Sequence, residues 1–169
     1  AAEPETITVQ SLPAEDGIVR GVTSGVSVSL DGNIRAGDGT QNQRNEGFLS
    51  FDISGIPQGA RIESAVLDLS GHSIEGTPFV QLGLLRVYFI EYASLGTEDY
   101  VAGNPTGSVT QSARPTQLLP TSAVQRSVDA GAARFQVRMQ FEGISDNDGE
   151  IDGLIFPEGG PALTITYTP

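Results

Sequence analysis

Apolar and polar residues alternate in short runs along this chain, and each run stops at a turn former. Thr6-Ile7-Thr8-Val9 sets two apolar side chains on one face of a strand. Val26–Leu30, Gly47–Ile53, Ile62–Ser70 and Leu82–Tyr92 read as further strands, with turn signals such as Asp31-Gly32 and Ile56-Pro57-Gln58-Gly59 between them. From Gly96 to Pro120, Asn104-Pro105, Arg114-Pro115 and Leu119-Pro120 predict a long surface excursion, with strand only around Ser108–Gln111. Strand signal returns at Ala123–Val128, Arg134–Phe141, Gly153–Phe156 and Ala162–Thr168. A helical turn or two is expected only at Ser127–Ala133, where Gly131 is unfavourable. This many half-apolar strands in one domain, 1–169, predict an all-β fold: a two-sheet antiparallel β-sandwich, jelly-roll-like. Residues 1–12 form either its edge strand or a strand exchanged with a neighbour.

Composition narrows the chemistry. The 169 residues carry 21 acidic and 9 basic side chains, a formal net charge of −12, and every basic residue is arginine. Such a surface repels nucleic acid, which needs a basic patch. With no cysteine there is no disulfide, cysteine-zinc site or thiol nucleophile. The most apolar run, Leu82–Ile90, is broken by Gly83 and Arg86, so no membrane span is expected. The opening Ala1-Ala2-Glu3 matches what signal-peptide removal leaves, which favours an extracellular or cell-surface location.

The densest cluster of oxygen donors is Asp146-Asn147-Asp148-Gly149-Glu150-Ile151-Asp152-Gly153. Asp146, Asp148, Glu150 and Asp152 at alternating positions are candidate ligands for calcium, the one cofactor considered. The helix-flanked calcium loop wants Gly at its sixth position and Glu at its twelfth, where Ile151 and Pro157 stand. A solvated hairpin turn between Phe141 and Leu154 explains the same residues. Asp31, Asn33 and Asp38 form a second, weaker cluster, and Asp16 could join either one. His72 is the sole histidine, and no G-x-S-x-G nucleophile elbow occurs, so no catalytic residue is assigned and the protein is read as a non-enzyme. Without tryptophan, an aromatic platform for sugars would fall to Tyr88, Tyr92 and Tyr100, whose alternative is core or rim packing.

The stretch Gly47-Phe48-Leu49-Ser50-Phe51-Asp52-Ile53, followed by Ile56-Pro57-Gln58-Gly59-Ala60 and Ile62-Glu63-Ser64-Ala65-Val66-Leu67-Asp68-Leu69, resembles the central pattern of the DNRLRE, or disaggregatase-related, domains. Those are grouped with a carbohydrate-binding module family. Glu15-Asp16-Gly17-Ile18-Val19-Arg20 is similar to the family's early stretch, and Leu163-Thr164-Ile165-Thr166-Tyr167-Thr168 to its closing strand. The resemblance implies an extracellular β-sandwich, sometimes glycan-binding. Physically the pattern is structural: Phe48, or Leu49 with Phe51, faces a core, and Ile56–Gly59 turns the corner.

These readings make the chain a secreted, non-catalytic structural or surface protein. Its expected partners are copies of itself, assembled into an extracellular filament or coat by β-strand addition. Thr6, Ile7, Thr8 and Val9 are the candidate assembly strand, because an alternating N-terminal segment can complete a neighbour's sheet. The alternative function is a carbohydrate-binding module for an extracellular polysaccharide.

Overall fold

A computed structural model describes residues 1–22, 25–30, 32–100, 107–111 and 116–169, the side chains of 22 and 107–111 aside. Among these residues thirteen strands lie in chain order: β1 (Glu5–Gln10), β2 (Gly17–Val22), β3 (Gly25–Ser29), β4 (Ile34–Asp38), β5 (Arg44–Asp52), β6 (Arg61–Asp68), β7 (Ser73–Glu75), β8 (Leu85–Ile90), β9 (Gly107–Gln111), β10 (Thr116–Leu119), β11 (Arg134–Phe141), β12 (Gly153–Phe156) and β13 (Ala162–Thr168). Among the described residues, two short α-helices, α1 (Pro78–Gln81) and α2 (Thr121–Asp129), and a 3-10 turn at Thr97–Asp99 join them.

The strands form two antiparallel sheets. The small sheet runs β1-β13-β6-β10; the large one runs β7-β12-β4-β5-β11-β8-β9, with β2 on β5 and β3 on β2. The chain passes between sheets at β1–β2, β5–β6, β6–β7, β9–β10, β10–β11 and β12–β13, the back-and-forth path of a jelly-roll-like sandwich. The expected all-β fold is present.

Alternation explains the main core. Leu163, Ile165 and Tyr167 of β13 point inward opposite Phe135, Val137, Met139 and Phe141 of β11, Leu85, Val87 and Phe89 of β8, and Leu49 and Phe51 of β5. A bulge in β6, opposite Thr166 and Tyr167, lets Ile62 and Ala65 both face inward despite their odd spacing. Phe48 points the other way. With Val19 and Ile90 it makes a second, smaller core under Val28, Tyr88, Tyr92, Leu95 and Tyr100.

Residues 123–128, expected as strand, lie in α2. Ala123, Val124 and Val128 are its buried positions, one face of a helix rather than alternate positions of a strand. Gln125 ties this helix to β6: its side chain accepts the Ile62 N–H at 2.8 Å and donates to the Ala60 carbonyl at 2.9 Å. Gly131, at φ 66°, ends it in the left-handed region that a glycine adopts freely. The helix expected at Ser127–Ala133 is thus the C-terminal end of a longer one that starts after Pro120. Ser108–Gln111 lies in β9 as expected, whereas the excursion also contains β10, paired to β6. Asn104-Pro105, Arg114-Pro115 and Asp31 fall outside the described residues.

Candidate functional site

β1 is a strand because Thr and β-branched Ile and Val alternate without a breaker. Among the described residues it pairs only with β13, in an unbroken register from Glu5 opposite Tyr167 to Gln10 opposite Ala162. In the single chain, then, the candidate assembly strand Thr6–Val9 completes its own sheet. Ile7 and Val9 are partly buried against the core, while Thr6 and Thr8 face solvent. Thr6 shares a hydroxyl hydrogen bond with Thr166 at 3.0 Å, and Thr8 with Thr164 at 2.9 Å. The Ser11 N–H donates to the Pro161 carbonyl at 2.8 Å. That bond sets the alternation of the ladder, so Gln10 and Ala162 form a pair without mutual backbone bonds, and Thr6, Thr8 and Gln10 turn their N–H and C=O groups to the open edge.

Immediately after β1 the chain crosses to the large sheet and is fastened there. Ser11 bridges Phe51, and the Leu12 N–H donates to the Ser50 carbonyl at 2.9 Å. Asp16, 1% exposed, accepts the Ser50 N–H at 2.9 Å. Burial pushes the Asp16 carboxyl up to about 6, against the pull of the nearby Ser11 hydroxyl and of its bond from the Ser50 N–H; Glu15 and Glu158 add repulsion. Glu15 behaves oppositely. It accepts the Arg134 Nε at 2.9 Å and the Ser50 hydroxyl at 2.6 Å, and these bonds hold it below the usual carboxylate range. Arg134 also pairs with Asp52 at 3.2 Å. Asp16 therefore serves this crossing and joins neither acidic cluster.

The acidic segment is a crossover rather than the hairpin turn considered above, because β11 pairs with β5 and β8 while β12 pairs with β4 and β7. Asp146, Asp148 and Asp152 each bring a carboxylate oxygen within 4.8 Å of the others. Glu150 is not among them; its N–H donates to Asp148 Oδ1 at 2.7 Å and its side chain lines the adjoining cleft of about 450 Å³. Asp38 comes in from β4, 1% exposed, and accepts the Asp152 N–H at 3.0 Å. Asp152, 4% exposed, accepts the Thr77 N–H. Partial desolvation raises the Asp146 carboxyl, with repulsion from Asp148 and Asp38 adding to it. Asn147 and Gly149 supply the left-handed backbone that curls the loop inward. The donor set, all hard oxygens, suits a divalent cation such as calcium through Asp146, Asp148 and Asp152.

The tyrosines considered for a sugar platform are engaged elsewhere. Tyr92 packs edge-on against Phe48 at 5.7 Å and donates its hydroxyl to the Glu15 carbonyl at 3.1 Å. Tyr88 lies 4.8 Å beneath the Arg138 guanidinium. Tyr100 rests on Gly21, where a Cβ would come within 1.9 Å of its ring. His72 faces the Leu69 carbonyl at 2.7 Å and the Phe156 ring at 6.1 Å, not a hydroxyl and carboxylate.

Sequence patterning passed over one more constellation. On the outward side of the large sheet, Glu46 is fully buried between Arg44 at 3.8 Å and Arg138 at 3.9 Å. Arg44 and Glu46, like Arg138 and Gln140, stand two apart with the polar pattern of a solvent face, yet all four are buried. The aromatic and leucine residues of 88–100 were the available signal that something apolar folds over that face. No protein-family model matches this chain, and no curated protein matches it.

Proposed function

We propose that this chain is a secreted, non-catalytic structural protein that assembles by exchanging β1. In the exchanged form, β1 of one copy lies on β13 of the next in the register it has at home. The observation that carries this reading is the position of β1: an edge strand that, among the described residues, pairs with β13 alone and is joined to the body by one crossing at residues 11–16. Exchange replaces each contact by an identical one, so its free-energy cost lies in opening the crossing, not in new chemistry. Head-to-tail exchange does not close on itself and builds a filament. The resemblance to the DNRLRE domains agrees with an extracellular site of action. A calcium ion among Asp146, Asp148 and Asp152 would neutralise like charges and stiffen the β11–β12 crossover.

Electron microscopy of the purified protein, with and without residues 1–10, tests the proposal. Fibres from the full chain, lost on truncation and still absent when residues 1–10 are fused after Pro169, where they can fold back on β13 of the same chain in the native register, are the expected result. Fibres that persist after truncation would remove β1 from the mechanism.

A further inference from the structure

The exchanged strand accounts for growth along one axis and leaves the broad outer face of the small sheet unexplained. Its central rows run Thr6–Thr166–Ser64 and Thr8–Thr164–Val66–Leu118 across neighbouring strands. These rows contain no charged residue. Charges occur only at the ends of the face, with Asp68 at one and the Arg61–Glu63 pair at the other. Lysine and glutamate are the usual guards of such a surface, and here threonine takes their place. Cross-strand hydroxyl pairing engages Thr6 with Thr166 and Thr8 with Thr164, so part of their hydrogen-bonding capacity is met within the ladder. Their burial against an apolar partner therefore costs less than that of free hydroxyls. Leu118 stands beside them 67% exposed.

We infer that this face is a lateral contact between copies of the chain, sheet against sheet about a two-fold axis. Charge selects the occupant. Molecules of net charge −12 repel one another over most of their surface, and close approach is cheapest where both faces are neutral. Two copies of the same rows meet that condition, and stacked sheets pack about 10 Å apart with interleaved side chains. Size sets the strength. Four strands about 4.8 Å apart and the two uncharged rows, spanning four residues of about 3.3 Å each, give a face of roughly 250 Å². Two such faces bury about 500 Å², below the range of stable isolated dimers. The contact is accordingly weak between single molecules and becomes strong when exchanged strands line up many copies, which turns fibres into bundles. This last step rests on the strand-exchange reading; the pairwise contact does not.

A cross-strand disulfide separates the two. With Gln10→Cys and Ala162→Cys, oxidation holds β1 on its own β13, which blocks exchange and leaves the central rows intact. Sedimentation equilibrium of the oxidised protein at up to millimolar concentration should show a monomer–dimer equilibrium that tightens with added salt. Leu118→Glu on that background should weaken it by roughly tenfold or more, whereas Val80→Glu, the same charge change at an exposed residue of α1, should not. A locked protein that stays monomeric throughout, or one whose dimer is indifferent to Leu118→Glu, overturns the lateral contact and leaves exchange untouched. A salt-tightened dimer sensitive to Leu118→Glu supports it, even where the unlocked protein forms no fibres and exchange has failed.

Discussion

Asp16 ionises with difficulty where it lies, and replacing it with asparagine should reveal by how much. Its carboxyl is pushed from 3.8 to about 6, chiefly by burial. The unfolded chain releases this proton near 3.8 and the folded one near 6, so between those values the folded state holds the extra proton. Stability must then fall as pH rises through that window and stay level above it. The whole penalty is about 3 kcal/mol, at about 1.4 kcal/mol for each tenfold change in the ionisation constant. Asparagine keeps an oxygen for the Ser50 N–H and adds a donor toward Ser11, with no charge to desolvate. Asp16→Asn should therefore match the parent near pH 3.5 and exceed it by about 3 kcal/mol at pH 7, or roughly 6–12 °C in a thermal melt. Taking the difference between the two proteins cancels Glu15, Asp52 and Asp68, whose lowered values act in the opposite sense and are lost as stabilising groups in acid. Urea unfolding at a series of pH values reads the difference directly. A gap that does not change with pH, or a variant weaker than the parent at pH 7, would refute the reasoning.

Calcium at Asp146, Asp148 and Asp152 should raise the melting temperature of chelator-treated protein, and Asp148→Asn should blunt the rise; a melt indifferent to both calcium and chelator would dispose of the site. Glu46→Ala leaves Arg44 and Arg138 buried beside an empty place and should cost about 3–5 kcal/mol in urea unfolding, so a loss below about 1 kcal/mol would mean that water reaches the group. Gly21→Val should push the Tyr100 ring out and destabilise by about 1–3 kcal/mol, with Tyr100→Ala restoring much of the loss; two additive losses would show that the ring does not rest there.

The sequence announced the strands whose two faces differ. Thr6–Val9 and Ala162–Thr168 alternate because one side meets the core and the other meets water, and both proved to be strands of the small sheet. β2, β4, β7 and β10 were missed for different reasons. Gly17–Val22 is interrupted by Arg20 and Gly21, which blur its apolar run. Ile34–Asp38 contains two buried small residues, Ala36 and Gly37, that carry no β signal. Ser73–Glu75 is too short to show a period, and Thr116–Leu119 is hemmed in by prolines. α2 was misread because Ala123, Val124 and Val128 look like strand residues until their spacing is set against Gln125, whose amide reaches β6. Of the acidic cluster, local spacing gave Asp146, Asp148 and Asp152. It could not give Asp38, which arrives from a strand more than a hundred residues earlier through the β4–β12 pairing. Buried Glu46 was hidden for the same reason: what covers it is remote in sequence.

Strand exchange remains the claim on which the functional account turns, and the Gln10→Cys, Ala162→Cys protein tests it without changing the fold. Ladder geometry puts the two Cα atoms about 4.5 Å apart, within reach of a disulfide. The parent chain has no cysteine to interfere. Electron microscopy of this protein should find no fibres while the bond is intact and fibres after reductant is added. Fibres that form equally well with β1 clamped to its own β13 would contradict the account.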